Sequence, residues 1–448
     1  MSELSDVLDR VLGQAAPGEA LEVYGVDRAE TTVRAQDGDI ESLSRSRSRG
    51  VGIRVLADGA FGYAHTADLG EAALAATLAA ARRNAAAADP DEANVLPAAA
   101  DAAPLAGLLD PTAAEVDVDE RVALALELEA AVRTAGPPAR GVDAAVIGDG
   151  VGEEAIATTS GIRDRVERSE AYALVEALCE SEAGSTSALG VRFTRSPRTL
   201  DVAGAAAEAV ERAGRLLGGR KPPSGALPVV LDPQVTAELL AVLAGALTAE
   251  AVQRGRSLFA GRVGERLAPA HVTLVDDGRH PEGPASAPRD GEGVPTGRTV
   301  LLEGGVLAGF LHDSRSAARE GTVSTGNAVR RGHQGPPSVG PSNGYLEPGT
   351  AGPEALFAEA GEAFYCQQVM GLHSGADPAS GQLSVGASGL MVRGGALAEP
   401  VREATIAGTI PDLLAGVVAV GADLRFVPVA GGMGGQTLLV DGLTLSGS

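Results

Sequence analysis

Residues 20–66 alternate between apolar and polar positions, a pattern that is typical of strands with one buried face. Two Asp-Gly pairs, Asp37-Gly38 and Asp58-Gly59, interrupt the alternation. Glycine accepts the positive φ that a two-residue hairpin turn requires, so both pairs predict tight turns. The segment is therefore predicted to form an antiparallel meander.

Helices and a second set of strands are predicted in the rest of the first half. Asp68 is the expected N-cap of the first of these helices. The strands cover about 142–195 with a turn at Ser160-Gly161, and the Pro- and Ala-rich segment 89–115 is predicted to be a linker. The helices are predicted at 68–88, 119–135 and 201–217.

Glycine and proline mark a domain boundary at 218–225, "GGRKPPSG". This boundary predicts an N-terminal domain over 1–220, which could divide into subdomains at 1–90 and 115–217, and a C-terminal domain over 225–448. The second domain is predicted to consist mostly of strands and long loops. Its hairpin turns are expected at Gly304-Gly305, Gly394-Gly395 and Asp441-Gly442, and its loops at 278–297 and 319–353.

Residues 238–259, "ELLAVLAGALTAEAVQRGRSLF", begin like a helix shortly after the apolar strand "LPVVLD", and a Gly-containing basic turn is expected to close that helix. Its position is that of a helix that opens an active site. However, its first two turns contain only Leu, Ala, Val and Gly after Glu238. None of these side chains binds a metal or transfers a proton, so the helix has the position but not the chemistry of a catalytic element.

Composition and charge narrow the class of partner. The chain has 448 residues and a formal net charge of −23, which repels nucleic acid phosphates and anionic membranes. Two cysteines are too few for a disulfide framework or a cysteine-only zinc site. The N-terminus lacks the basic and apolar regions of a signal peptide, and no apolar run has the length of a membrane span. These features predict a cytoplasmic protein.

The side chains that could carry chemistry are scattered. No two of the six histidines have the i, i+3 or i+4 spacing of a metal-binding helix. His271 and His280 enclose Asp276-Asp277, but a strand followed by an acidic, solvated turn is the favoured interpretation of that segment. Ser388 and Cys366 are expected to be packing residues and not nucleophiles, since no nucleophile motif surrounds either.

Two groups of arginines remain as binding candidates. Arg45, Arg47 and Arg49 share one face of a strand, where they are expected mainly to protect a solvated edge, with anion binding as the alternative. Arg330 and Arg331 lie in a long loop among Asn, Gly and Pro, where they could line a cleft.

Six segments of the second half follow one another in a characteristic order. They are "RGRSLFAGRVGE" (254–265), "VTLVDD" (272–277), "DGEGVPTGR" (290–298), "STGNAVRRG" (324–332), "SNGYLEPG" (342–349) and "GASGLMVRGGALAEPVREATIAG" (386–408). Together they resemble the TldD/PmbA family of peptidase subunits, and the hairpin and helix at "SRGVGIRVLADGAFGYAHTADL" (48–69) agree with this resemblance.

The resemblance implies which kind of subunit this is. In that family the catalytic TldD-type subunit carries an H-E-x-x-x-H zinc helix and a further cysteine ligand near the C-terminus, whereas its TldE/PmbA-type partner lacks both. The corresponding positions here fall near Leu240, Ala241 and Gly245, and segment 427–442 has no cysteine. The chain is therefore most similar to the TldE/PmbA type, with no catalytic or metal-binding residue of its own and zinc expected in the partner.

The resemblance also implies an α+β fold, with a mixed α/β N-terminal domain and a mostly antiparallel, barrel- or sandwich-like C-terminal domain with helices. The implied assembly is a heterodimer with a TldD-type subunit that encloses a cavity and cleaves unfolded or short peptides, such as leader or precursor peptides of modified peptide natural products. Neither nucleic acid nor membrane is an expected partner. The residues predicted to line the cavity are Arg254, Asn327, Arg330, Arg331 and Asn343.

Two other functions stay open at this point. One is a stand-alone, homodimeric peptidase with an atypical site, which the absence of a ligand spacing disfavours. The other is a modulator of DNA gyrase, a name that has been given to family members, which the net charge of −23 disfavours.

Overall fold

The computed structural model describes residues 3–447. The first half of the chain forms one antiparallel sheet of six strands, with the spatial order β3-β2-β1-β4-β5-β6. Asp37-Gly38 and Asp58-Gly59 form the predicted hairpin turns, and all four residues have positive φ. The strands are β1 Ala20–Gln36, β2 Asp39–Ala57, β3 Ala60–Thr66, β4 Ala139–Thr158, β5 Arg163–Ser181 and β6 Gly184–Thr194.

The segments 1–90 and 115–217 share this sheet, because β1 pairs with β4 from Glu22↔Thr158 to Ala35↔Ala145. The two segments therefore belong to one sheet and do not form two separate sheets. The linker 89–115 has no strand and only a 3₁₀ turn at Ala113–Glu115.

Four helices cover one face of the sheet. They pack as two pairs, one on Leu21 and Val23 near the start of β1 and the other on Val33 and Ala35 near its end. These four residues are all odd-numbered, so their side chains point to the same face of β1, and the even-numbered residues point to the opposite face of the sheet. The helices are α1 Glu3–Leu12, α2 Glu71–Ala86, α3 Val118–Thr134 and α4 Val202–Arg215.

Capping residues explain where these helices begin. Asp117 and Asp201 accept hydrogen bonds from the main chain three residues on, as N-caps of α3 and α4. The predicted start of α2 was wrong by two residues, because its N-cap is Gly70 and not Asp68. The Asp68 carboxylate instead accepts from the Gly70 N–H at 2.8 Å, which forms a turn before the helix.

From residue 218 to residue 447 the structure has sixteen further strands, most of them short. They are β7 Gly225–Ala226, β8 Val229–Leu231, β9 Leu274–Asp277, β10 Arg298–Glu303, β11 Val306–Leu307, β12 Ala328–Val329, β13 Ser338–Val339, β14 Asn343–Leu346, β15 Ala363–Met370, β16 Gln382–Arg393, β17 Ala396–Thr409, β18 Val417–Val420, β19 Arg425–Val427, β20 Gly432–Gly435, β21 Leu438–Val440 and β22 Thr444–Ser446.

These strands form two larger sheets and one small one. The orders are β18-β21-β8-β15-β16-β17-β22-β7, β11-β10-β9-β14-β20-β19 and β12-β13. Pairing is antiparallel except at β8–β15 and β14–β20. The fold is thus α+β, with a largely antiparallel C-terminal part, as the resemblance implied.

The predicted turns and loops of the second half are confirmed with two exceptions. The predicted loop 319–353 is not a continuous loop, because it contains β12, β13 and β14. Gly304-Gly305 and Gly394-Gly395 form hairpin turns, and 278–297 is a loop. Asp441-Gly442 is not a hairpin turn, because β21 pairs with β8 and β18 while β22 pairs with β17 and β7. Three residues connect strands that are far apart in the sheet order, so the eight-stranded sheet must curl.

Six helices accompany these sheets. Leu239, Leu240 and Leu243 of α5 lie in the largest apolar core of the chain. The helix contacts β14, β19 and β20 of one sheet and β15 of the other, so it lies between them. Within residues 3–447, no helix combines the length and apolarity needed to span a bilayer. The helices are α5 Pro233–Ala246, α6 Ala249–Gln253, α7 Ser314–Glu320, α8 Pro353–Ala360, α9 Leu372–Gly375 and α10 Ile410–Ala415.

Candidate functional site

Helix α5 begins where the sequence places a catalytic helix, directly after β8. Asp232 is its N-cap, and Pro233 occupies the first helical position, where a missing N–H has no cost. The segment 238–259 does not hold one continuous helix before its basic turn, because α5 ends at Ala246 and α6 starts at Ala249 with Thr248 as a new N-cap. The Thr248 hydroxyl accepts from the Ala251 N–H at 3.2 Å, which favours a new helix over continuation of α5.

The three positions at which the family's zinc helix would carry its ligands have no metal-binding side chain. Leu240 is buried in the core, Ala241 is half-buried, and Gly245 is exposed with open space where a side chain would lie. Among residues 3–447, no group of three or more His, Cys, Asp or Glu side chains could hold a metal ion. The residues around α5 therefore do not fit a zinc ion, and no catalytic step can be derived through one here.

A buried ionic network fixes the start of α5 to the N-terminal sheet domain. Arg212 of α4 donates from Nη1 to Asp232 Oδ2 at 2.7 Å, and the Tyr365 hydroxyl donates to the same oxygen at 2.6 Å. Arg212 also donates to the Gln367 carbonyl at 2.7 Å, and Gln367 Nε2 donates to the Arg212 carbonyl at 2.9 Å. Burial, together with the Asp232 charge, raises the pKa of Tyr365, so its hydroxyl stays protonated and keeps donating.

A cavity of about 230 Å³ lies between the other face of the N-terminal sheet and loops of the C-terminal domain. Strands β1, β4 and β5 form one wall, and the loops around 285–296, 326–330 and 341–342 form the other. Side chains of both charges project into it. The ionisable lining residues are Tyr24, Glu154, Asp164, Arg168, Arg289, Asp290 and Arg330.

Arg330 connects the two walls of this cavity. Its Nη2 pairs with Glu22 of β1, its Nε donates to the Gly291 carbonyl at 2.5 Å, and its guanidinium lies 4.4 Å from the centre of the Tyr24 ring. The cation therefore has a carboxylate, a carbonyl and an aromatic face as partners.

The same carboxylate continues into a second buried ion pair. Arg54 of β2 binds Glu22 through Nη2 and Glu292 through Nη1, the latter at 2.9 Å. Glu292 in turn accepts from the Ser314 N–H at 2.9 Å. Burial alone would lower the pKa of Arg54, but the two carboxylates outweigh it and raise the pKa. The four side chains, Glu22, Arg54, Glu292 and Arg330, are called here the interdomain ion network.

Asp290 is a buried carboxyl beside this network. Its oxygens accept from the N–H groups of Glu292 and Val294 at 2.9 Å and of Ala328 at 3.0 Å. Burial, and secondly the charge of Glu292, raises the pKa of Asp290 to about 7 despite these hydrogen bonds. Asp290 is thus a group whose charge changes near neutral pH.

The two predicted asparagines are both buried and both hold loops in place. Asn327 lines the cavity and donates to Asp276 Oδ2 at 2.6 Å. Asn343 is fully buried behind it and donates to the Asp277 carbonyl at 2.7 Å and to Ser286 Oγ at 3.0 Å. Burial raises the pKa of Asp276, although hydrogen bonds from Ser342 and Asn327 counteract this effect.

Of the five residues predicted to line a cavity, the structure brings Asn327 and Arg330 into this one. Asn343 lies outside the lining, Arg331 is exposed, and Arg254 is an exposed partner of Glu250 at the end of α6. The sequence reasoning missed Glu22, Tyr24, Asp290 and Glu292. Segment 290–298 was singled out for its resemblance only, although paired carboxylates in a Gly-rich loop are a signal that could have been used.

The remaining candidate residues make packing contacts or surface ion pairs. Cys366 is fully buried, as expected of a packing residue, and burial raises the pKa of its thiol. His280 packs against the rings of Phe426 and Tyr345, at 4.7 and 5.3 Å between ring centres. Arg47 and Arg49 form ion pairs with Asp27, whereas Arg45 is exposed on the same strand.

Three family models match consecutive parts of the chain. They describe the PmbA/TldA metallopeptidase domain 1 (residues 21–85), central domain (111–217) and C-terminal domain (224–447). The chain belongs to the PmbA/TldD family. The matched domains contain all the strands that surround the cavity and helix α5.

Relatives of this PmbA/TldD protein carry metalloprotease names. "Metalloprotease PmbA" of Escherichia coli O157:H7 is 28% identical over 88% of this chain and 85% of its own. A "Metalloprotease" of Methanothermobacter thermautotrophicus is 32% identical over 51% of this chain and 50% of its own. The chain thus spans about half the length of the archaeal metalloproteases that it matches.

Solved structures share the fold over nearly the whole chain. A Thermotoga maritima protein, described as a candidate modulator of a DNA gyrase, superimposes with a TM-score of 0.90 and 26% identity, covering 98% of this chain and 99% of that one. TldE from Thermococcus kodakarensis superimposes with a TM-score of 0.87 over 96% of this chain and 97% of its own, and at 23% identity this likeness concerns the fold alone.

Proposed function

We propose that this chain is the non-catalytic, TldE/PmbA-type subunit of a cytoplasmic TldD/TldE zinc metallopeptidase that cleaves unfolded or short peptides. Leader or precursor peptides of modified peptide natural products are the proposed substrates. The zinc and the residues that activate water belong to the TldD-type partner in this proposal. The role of this chain is to complete the enclosure around the peptide.

The observation that carries the proposal is the chemistry of α5. Zinc sites in proteins use Cys, His, Asp or Glu ligands, and catalytic sites need three of them with one open position. The relevant positions of α5 carry Leu240, Ala241 and Gly245 instead. The helix remains anchored at Asp232 and packed between two sheets, which supports a structural role for an element whose counterpart is catalytic.

The interdomain ion network supports the role as a rigid wall. Glu22 and Arg54 come from the N-terminal sheet, whereas Glu292 and Arg330 come from C-terminal loops. Separating the domains would break the buried Arg54–Glu292 and Glu22–Arg330 pairs and keep only Glu22–Arg54. Glu292 and Arg330 would lose their ionic partners, at a cost of several kcal/mol per ion. A wall of an enclosed peptide chamber needs this kind of fixed domain geometry.

A DNA-directed role is the weaker alternative. The Thermotoga protein's description as a candidate gyrase modulator is its support. The formal charge of −23 opposes direct contact with DNA phosphates.

Reconstitution tests the proposal. This chain should hydrolyse no unstructured peptide on its own, but should form a heterodimer with a TldD-type subunit and raise the peptidase rate of that subunit by at least about a hundredfold, because an incomplete chamber positions the peptide poorly. The measurement is cleavage of an unfolded reporter peptide by the separate and the mixed subunits after size-exclusion chromatography. Full activity of either subunit alone would contradict the proposal.

A further inference from the structure

A second depression, of about 530 Å³, lies between the edges of two sheets. Residues 191–195, at the end of β6, line one side, and residues 424–426, at β19, line the other. Both β6 and β19 are edge strands of their sheets. Edge strands present unpaired main-chain N–H and C=O groups, which are a template for an added strand. This depression is called here the β6–β19 groove.

Within residues 3–447 no strand pairs with the outer edge of β6, but side chains cover its first part. Arg402 and Gln368 donate to the carbonyls of Ser185 and Ser187 at 2.9 and 3.4 Å, so only the end of β6 is open. Strand β6 pairs with β5 on its inner side, from Ser181↔Gly184 to Ala171↔Thr194. The Val191 carbonyl accepts from the side chain of Arg192 at 2.9 Å, which indicates that it points away from β5. Main-chain groups alternate in direction along an antiparallel strand, so those of Phe193 also point outward.

Helix α4 covers a face of β6 and leaves this edge free. A Cβ atom on Gly190 would lie 2.0 Å from the Ala205 carbonyl oxygen, so the helix backbone lies directly on the strand. The contact fixes β6 from above and does not use its edge hydrogen-bonding groups.

Three arginines line the groove of a strongly acidic chain. Arg192 and Arg425 share one carboxylate, that of Glu208, at 2.5 and 2.8 Å. Arg425 reaches Glu208 from the C-terminal domain, so this pair also fixes β19 relative to the N-terminal sheet. Glu282 is the other acidic lining residue and is exposed at the rim.

Arg195 is the cation of the groove that lacks an acidic partner. Within residues 3–447 it has no carboxylate within 4.0 Å, and its guanidinium donates only to the carbonyls of Ser169 and Gly283, at 3.3 and 3.2 Å. Burial, and secondly the nearby charge of Arg168, lowers the pKa of Arg195, and the charge of Glu170 counteracts this only in part. A carboxylate from outside would therefore gain a charge-assisted bond and relieve this repulsion.

Aromatic rings supply the apolar part of the groove. The Phe193 ring lies 5.9 Å from the Arg195 guanidinium, and Phe426 on the opposite side packs against His280 and Tyr345. Phe193 and Arg195 are two residues apart and so lie on one face of the strand. A side chain of an added strand on that face would meet both a ring and a cation, and such side-chain contacts give strand addition its selectivity.

We propose that the β6–β19 groove binds an extended peptide segment as an added strand on β6, with an acidic side chain of that segment on Arg195. The proposal rests on the proposed function, and it specifies the substrate class as peptides with an acidic extended segment. The occupant follows from charge complementarity. The groove has three arginines and two carboxylates on a chain of charge −23, and since Arg192 and Arg425 already pair with Glu208, Arg195 is the cation left to bind a carboxylate from outside.

Binding to this chain alone tests the proposal. The probe is a fluorescent octapeptide that alternates Glu with Val, compared with its Gln-for-Glu analogue and with an analogue N-methylated at alternate main-chain nitrogens. The acidic peptide should bind about tenfold more tightly than the Gln analogue, as expected of one charge-assisted bond, and N-methylation should abolish binding. Equal anisotropy titrations for the three peptides would overturn the proposal.

Two variants localise the effect. Arg195→Gln should weaken binding of the acidic peptide about tenfold and leave that of the Gln analogue unchanged. If Arg195→Gln fails to fold, Arg425→Gln tests the opposite wall at a half-buried side chain. It should weaken binding of the acidic peptide, because Glu208 loses one of its two cations and repels a further carboxylate. Arg198→Gln is the matched control, because Arg198 is exposed, pairs with Glu120 and lies outside the groove. Binding that responds equally to Arg195→Gln and Arg198→Gln would overturn the proposal.

The result of the peptide-binding assay can be distinguished from the result of the reconstitution experiment that tests the proposed function. The assay needs no partner subunit, so absence of a heterodimer would leave the groove result readable. An active heterodimer whose isolated subunit binds no acidic peptide would refute the groove and leave the proposed function intact.

Discussion

Replacing Arg54 by methionine is expected to lower the free energy of unfolding by about 3–5 kcal/mol, which is typical for removal of one partner from a buried ion pair. Arg54 is the only link between the Glu22 and Glu292 carboxylates that is described in residues 3–447, and both of these side chains are 1% exposed. The variant leaves Glu292 with no cation and Glu22 with Arg330 alone. Urea denaturation followed by circular dichroism measures the change.

A matched control is available on the same strand. Arg47 pairs with Asp27, but its side chain is 62% exposed. Arg47→Met should therefore change the free energy of unfolding by less than about 1 kcal/mol, as is usual for surface pairs. Equal destabilisation by the two variants would contradict the importance assigned to the interdomain ion network.

Asp290→Asn is expected to remove a pH dependence of stability of up to about 4 kcal/mol between roughly pH 4 and pH 7. Burial raises the pKa of Asp290 to about 7 in the folded chain, whereas that of an unfolded aspartate is about 3.9. Between these values the folded chain binds more protons than the unfolded chain. The free energy of unfolding contributed by Asp290 therefore falls as pH rises through this window and is constant above it.

The comparison is made by urea denaturation of both proteins at pH 5, 6, 7 and 8. Asparagine keeps an oxygen that can accept from the N–H groups of Glu292, Val294 and Ala328, so the turn is preserved. Subtracting the two curves isolates Asp290 from the other buried carboxyls, such as Asp276. Parallel curves for the two proteins would show that Asp290 does not titrate in this range.

Local sequence signals predicted the local structure well. Asp37-Gly38 and Asp58-Gly59 form hairpin turns because few other pairs tolerate positive φ at both positions. The helices predicted at 119–135 and 201–217 are present, and Asp117 and Asp201 start them because a carboxylate can accept from the free N–H groups of the first turn. The cap that was predicted, Asp68, is not the N-cap of α2. Asp441-Gly442 has the same chemistry and yet joins distant strands, since pairing is decided by the core and not by the turn.

The candidate site was less predictable because its contacts are remote in sequence. Alternation in β1 shows that Glu22 and Tyr24 share a face, but not that this face meets the C-terminal domain. Glu22 and Arg330 are 308 residues apart in the chain. Arg330 could be predicted as a cavity residue because it lies in a long loop rich in Asn, Gly and Pro. Glu22 could not, since an acidic residue in an amphipathic strand is normally solvated.

The central claim is that α5 is the counterpart of a zinc helix in a subunit that holds no zinc. Elemental analysis of this chain, purified alone and in complex with a TldD-type subunit, tests it most directly. The account predicts essentially no zinc on the isolated chain and about one zinc per heterodimer, which chelation of the partner subunit before mixing should remove. Stoichiometric zinc on the isolated chain would contradict the account.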